Sequence, residues 1–311
     1  MKRALFFTLI AIVLSALFVA SFTFYIAYKE SRQLESSKVR INSMNEFVKS
    51  VERDMQRALY IASFRAILSM SDYITTSGKY VNDTEKGFVR LVFNGTVGNR
   101  TTVEPLMVNQ TILNWSKKIM QLSQGLEVSL NLKVINVSVF QDAPWEINTV
   151  AYLNFTITDS KQTAAWTRLT RISSSLPVEN FEDPIYMIKS NGKVARRIVK
   201  SNITAWNISA LKLHLLGRTF TASSSAPSFL KRLEGNLTAS PQGIETLVDT
   251  NELRVFGLTI LDRSSVDYIY WGAAVTVKYG IHNITDKLYP DFRLDNAHVA
   301  SYNVRGYNYT I

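Results

Sequence analysis

The chain contains no cysteine. This excludes a disulfide framework and a thiol nucleophile, so any folded part must be held by an adequate apolar core. Glycine and proline are missing from the first 77 residues; Gly78 and Pro105 are the first of each. Without these helix breakers, Met1 to Ser77 can form one long helix or two nearly collinear ones, a rod on the order of 100 Å at about 1.5 Å per residue. Charge is missing from Leu5 to Tyr28, 24 residues in all. Catalytic signatures are missing too. There is no Gly-x-Ser-x-Gly, P-loop or dinucleotide fingerprint, and His214, His282 and His298 lack a spaced second histidine or carboxylate. The expectation is a protein that is not an enzyme, with no cofactor and no metal. Glu182-Asp183 reads as a solvated pair beside a proline turn. Asp291 and Asp295 are read as ordinary turn carboxylates, with a calcium site as the other reading.

What is present begins with the uncharged run. It exceeds the roughly 20 residues needed to cross a hydrocarbon core. Lys2 and Arg3 precede it, while Tyr25 and Tyr28 stand at its far end, where amphipathic rings favour the membrane interface. Three readings are open: an uncleaved signal-anchor, a cleaved signal peptide, and a pilin-type signal cut before the apolar run. The second is disfavoured because the run is long and no small-x-small site precedes the polar continuation.

The sequon Asn-x-Ser/Thr occurs at Asn82, Asn94, Asn99, Asn109, Asn114, Asn136, Asn154, Asn202, Asn207, Asn236, Asn283 and Asn308, which is 12 of the 21 asparagines. Chance would supply roughly three or four. None precedes Gly78. An excess on one side of an apolar span predicts that the C-terminal part is extracellular and carries glycans. The formal charge of +10 is spread along the chain, which suits anionic neighbours or a solvated basic surface.

From Ile41 to Ala62 apolar residues step by three and four (Ile41, Met44, Val48, Val51, Met55, Ala58, Ala62), the stripe of a helix packed along one side. Phe47, Leu59, Phe64, Ile67 and Tyr73 widen it. The late part is therefore expected in the core of a globular head, and residues 5–45 are expected to meet sister helices. Ala11, Ser15, Ala16, Ala20 and Ser21 would allow close helix approach in lipid.

Residues 78–116 read as a loop-rich connection, and Thr111–Gln124 as a short helix ended by Gly125. Glu127–Phe140, Thr149–Asp159 and Gln162–Ser173 read as an antiparallel meander, with a phase slip at Val134-Ile135 that signals either a bulge or burial on both faces. Ser173–Pro177 marks a boundary. Beyond it, strands are expected at Asp183–Lys193, at Leu211–Leu216, and among Val248, Leu253, Val255, Leu258, Ile260 and Tyr268–Trp271. A brief helix is expected at Ser228–Gly235. Lys189, Lys193, Arg196, Arg197 and Lys200 would cluster on one hairpin, either as an anion- or nucleic-acid-binding patch or as a charged strand edge. The tail from His282 carries Tyr289, Tyr302, Tyr307 and Tyr309, read as a terminal strand or as a surface for sugars or partners.

The order of features resembles archaeal type IV pilin-like proteins: the short basic prefix Lys2-Arg3-Ala4-Leu5-Phe6, the apolar helix, its amphipathic continuation and a β-rich glycosylated part. The resemblance implies cleavage after Ala4, with Arg3, Ala4 and Leu5 forming the processing site. Thr8 and Leu9 stand where many bacterial pilins carry a glutamate, and no carboxylate precedes Glu30, which fits the archaeal type better. Pro241–Asp249 with Ser265–Trp271 is similar to a module of uncharacterised archaeal surface proteins and carries no known activity. The expected fold class is α+β, a long transmembrane and stalk helix followed by an antiparallel β-rich extracellular head. The expected division is 1–4 prefix, 5–28 span, 29–77 stalk, 78–176 pilin-like meander and 177–311 a second β-rich subdomain. Expected partners are membrane lipid, other pilin-like subunits through the N-terminal helix, and surface glycans. A monomeric single-pass surface glycoprotein or binding module, and a tethered hydrolase, are the alternatives.

Overall fold

The structure, a computed structural model, describes residues 2–97, 102–125, 128–159, 165–272, 280–284 and 291–310. One helix, α1, runs unbroken from Lys2 to Ser77, as the lack of glycine and proline allows. At about 1.5 Å per residue it is on the order of 110 Å long. Its two ends live in different surroundings. Leu9–Arg32 is long and apolar enough to cross a membrane, and none of it is buried inside the protein. From Met44 onward the predicted stripe is buried: Met44, Val48, Val51, Met55, Ala58, Ala62, Ala66, Met70 and Ile74 all lie in the core.

A three-stranded antiparallel meander wraps this buried stripe. It is built from β1 (Val128–Ala143), β2 (Glu146–Asp159) and β3 (Ala165–Pro177), in that spatial order. The phase slip is a bulge: Val134 pairs with Leu153 and Asn136 with Tyr152, which leaves Ile135 without a partner. The extra residue resets the alternation. Leu130, Leu132 and Val134 face the core before it, and Val137 and Val139 after it, so both halves of a long strand stay apolar on one side. Ala151, Leu153, Phe155 and Ile157 supply the middle strand's share.

Three sequence-based expectations are corrected. Residues 84–94 are a helix, α2 (Thr84–Asn94), within the stretch expected to be loop-rich. Asp83 caps it by accepting from the Lys86 amide, and Gly95 closes it at φ 83°, so both ends carry recognisable stop signals. The helix expected before Gly125 is present as α3 (Ile112–Gln124), capped by Thr111. Beyond Pro177 the described chain is mostly short helices joined by short strands. The runs read as strands are α4 (Pro184–Lys189), α5 (Ile208–Gly217), α7 (Thr250–Val255) and α8 (Asp267–Tyr270), while the expected helix near Ser228 is α6 (Phe229–Leu233). Short strands β4 (Thr221–Ala222) and β5 (Ile244–Glu245) pair. β6 (Ile281–Ile284) lies between β7 (Arg293–Asp295) and β8 (Asn308–Thr310), and α9 (Asn296–Ser301) follows β7.

The expected boundary at Pro177 does not divide the core. Val178, Phe181, Ile198, Phe220, Phe229, Leu233 and Ile244 join the cluster built on α1. Phe181 sits between Phe64 of α1 and Phe229 of α6, with ring centroids 5.5 and 5.9 Å apart. Backbone bonds seal the junction, with the Val81 amide donating to the Leu233 carbonyl at 3.0 Å. Gly235, at φ 68°, lets Tyr80 lie against the backbone where a Cβ would stand 2.5 Å from the ring. Two smaller clusters complete the body, one around Leu211, Leu247, Val266 and Tyr302, the other around Tyr186, Val248, Leu253 and Tyr270.

Candidate functional site

Exposed apolar surface is concentrated on the first half of α1. Phe6, Ile12, Leu17, Phe18, Phe22, Phe24, Tyr25 and Tyr28 are all exposed, and so are Ala11, Ser15, Ala16, Ala20 and Ser21 between them. A polar hydroxyl within this stretch is satisfied by its own helix: Thr23 Oγ1 donates to the Ala20 carbonyl at 2.8 Å. By length and composition this stretch is apolar enough to cross a membrane. Arg3, Ala4 and Leu5 belong to α1 and are described as backbone alone.

The sequons lie on the other part of the chain, and none of the asparagines whose side chains are described is buried. Asn82, Asn94, Asn109, Asn136, Asn202 and Asn207 are exposed, and Asn114, Asn154, Asn236 and Asn283 are half-buried. Asn99 lies outside the described residues, and Asn308 is described as backbone, in β8. At Asn94 the side-chain oxygen accepts from both the amide and the hydroxyl of Thr96, at 3.2 and 2.9 Å. Asn207 caps α5 by accepting from the Ala210 amide, and Asn283 accepts from Arg293 Nε at 2.9 Å.

The basic group at 189–200 is only partly brought together. Lys189, Lys193, Arg197 and Lys200 are exposed, with Lys193 Nζ donating to the Phe256 carbonyl at 3.2 Å and Lys200 lying over the Trp145 ring. Arg196 is not part of any surface patch. It is 1% exposed, bonded to Glu252 at 2.6 Å and stacked over Tyr186. The expected hairpin is also not the carrier, because Asp183-Pro184 begins a helix instead.

The most concentrated charge in the body is a feature that sequence reasoning missed. Arg232, on α6, meets Asp183 and Asp267 at 2.6 and 2.7 Å, with all three side chains sealed from solvent. Arg232 Nη2 also donates to the Ile244 carbonyl, and the guanidinium covers Phe220. Burial, with a second carboxylate close by, pushes Asp267 up to about 6 despite Arg232. A second cluster surrounds His298 on α9. Its Nδ1 meets Asp295 at 2.7 Å and its Nε2 meets Glu245 at 3.3 Å, while Tyr302 donates to Glu245 at 2.8 Å. Burial opposes the imidazolium, but the bonds to Asp295 and Glu245 outweigh it and raise His298 to about 9. Burial would raise Asp295, yet the bond and charge of His298 carry it down to about 2. His214, buried without a neutralising partner, is pushed down to about 4.

Both clusters join segments that are far apart in sequence; the Arg232 cluster is sealed from solvent and the His298 cluster is open only at Asp295, which suits structural ties. Asp291 and Asp295 are drawn to different partners, Arg254 and His298. Among the described residues, no group of three or more His, Asp or Glu is arranged to hold a metal ion. Comparison with protein-family models, with curated proteins and with solved structures yields no match for this chain. The functional reading therefore rests on the residues themselves.

Proposed function

We propose that this chain is a single-span surface protein, pilin-like in build, whose body faces outward and whose apolar helix can pack against copies of itself in a filament. It acts as a structural or accessory subunit, adhesive through its body, and not as an enzyme. The observation that carries the reading is the continuity of α1. One unbroken helix presents a bare apolar surface at one end and supplies the stripe around which a β-meander folds at the other. A helix serving only as a tether has no need to continue as the spine of the fold. The confinement of all 12 sequons to residues after Gly78 supports the outward placement.

The test is the N-terminal sequence of the mature protein taken from its own membranes, with electron microscopy of the surface. A start at Leu5 together with filaments carrying this chain is the expected result. A start at Met1 with the protein held in lipid as a monomer would leave an anchored surface glycoprotein instead.

A further inference from the structure

A groove runs between the exposed edge of α1 and strand β3, just beyond the point where α1 enters the body. Two adjoining hollows, of about 310 and 540 Å³, share Arg53, Gln56 and Ser173 and so form one channel. Gln56 Nε2 bridges it by donating to the Ser173 carbonyl at 3.1 Å. Among the described residues β3 is an outer strand of its sheet, so the groove follows a sheet edge.

The lining has a consistent chemistry. Lys49, Arg53, Arg57 and Arg171 bring four cations to its walls. The one carboxylate there, Glu52, already accepts from Thr170 at 2.9 Å and faces Arg168 at 3.5 Å. Lys49 and Arg57 have acidic neighbours one turn away, Glu46 and Asp54, on the solvent side of the helix. Among the described residues, neither Arg53 nor Arg171 is engaged by a hydrogen bond or an ion pair, and both are exposed. Between the cations stand Ser173, Ser175 and Asn148, and Tyr60, which is 43% exposed; the Ser175 hydroxyl already donates to Glu146 at 3.0 Å and the Asn148 amide to Asp142, so these two offer a ligand acceptor oxygens.

We infer that this groove binds an acidic saccharide, with Arg53 and Arg171 gripping its carboxylate or sulfate groups. The hydroxyl and amide groups match sugar hydroxyls, and the Tyr60 face offers a platform for an apolar sugar face. Forked guanidinium donors suit planar anions better than ammonium groups do. A lipid headgroup fits poorly. Arg53 stands 21 residues beyond Arg32, the end of the span, about 30 Å along the helix. A single-stranded nucleic acid fits poorly too, since one ring offers no series of stacking platforms. Among the described residues, no sequon asparagine lines the groove. The inference rests on the outward placement of the body but not on filament formation.

The experiment uses the full chain in detergent micelles, titrated calorimetrically with an oligogalacturonate and with the same oligosaccharide after reduction of its carboxylates. The expected result is saturable binding of the acidic form that weakens as salt rises, and at least tenfold weaker binding of the reduced form. R53Q and R171Q should each lose about tenfold in affinity and Y60A several-fold, with unchanged melting temperatures. No binding, equal binding of the two oligosaccharides, or full affinity in R53Q and R171Q would overturn the proposal. So would tighter binding of an oligothymidylate of equal charge. Because binding is read on isolated chains, failure here leaves the N-terminal processing test untouched, and failure there leaves this titration interpretable.

Discussion

Ile41 and Met44 lie one helical turn apart on the same stripe of α1, yet Ile41 is 48% exposed and Met44 only 3%. The body begins between them. The apolar pattern itself does not change there; what changes is that β-strands arrive to cover it.

That difference separates two kinds of apolar residue on one helix. Met55→Ala should cost about 2–5 kcal/mol by leaving a cavity in the core, whereas Leu17→Ala should leave the body's unfolding midpoint unchanged. Denaturant unfolding of the full chain in micelles, followed by near-ultraviolet circular dichroism, checks both. Equal effects would mean that the two halves of α1 do not live in different surroundings.

The exposed half can be probed by charge. Val13→Arg places a cation in the middle of the apolar run and should cost about 2.5–3.5 kcal/mol of insertion. The measurable outcome is a shift of the protein from the membrane pellet to the soluble fraction after alkaline extraction. A charge change outside the run, Arg57→Ala, should leave extraction unchanged.

Arg232 holds together two buried carboxylates, so its removal leaves uncompensated charge. Arg232→Met should destabilise the body by about 3–5 kcal/mol. Adding Asp183→Asn and Asp267→Asn to that variant should restore part of the loss, because the stranded charges are removed with their partner. A triple variant no more stable than the single one would refute the ionic account.

The His298 cluster predicts a pH window. His298 is raised to about 9 in the folded protein, so its contribution is complete below about 6.5 and is lost as pH rises through 9. Asp295 is lowered to about 2, so its contribution is present above about 4 and is lost as pH falls towards 2. His298→Gln should therefore flatten the alkaline limb of a melting-temperature profile between pH 6.5 and 9. An unchanged slope in that window would place the titration elsewhere.

Glycan occupancy should follow accessibility. Mass spectrometry of the protein from its own cells should find Asn82, Asn94, Asn109, Asn136, Asn202 and Asn207 modified more completely than Asn154, which lies on the central strand, and Asn283, which is tied to Arg293. Asn207→Gln should also cost roughly 1 kcal/mol whether or not a glycan is present, because the cap of α5 goes with it.

The sequence by itself determined the elements whose cause is local. The lack of glycine and proline before Gly78 permits a continuous α1, the uncharged run makes one end apolar, and the three-four spacing marks the face that becomes core. The phase slip at Ile135 is a bulge because a period of two must be reset to keep both halves of β1 facing inward. Past Pro177 the local signals were read in the wrong order of weight. Short apolar runs such as Leu211–Leu216 suit a strand or a helix equally well. The deciding signals were the caps: Asp183 before Pro184, Asn207 three residues before Ala210, and Asp249 before Glu252. Those caps are legible in the sequence. Only the tertiary structure could decide the rest. Arg196 belongs to the interior and Arg53 to the surface, because burial depends on what arrives from elsewhere in the chain. Glu252 comes from 56 residues away to pair with Arg196, whereas among the described residues no ion pair forms at Arg53.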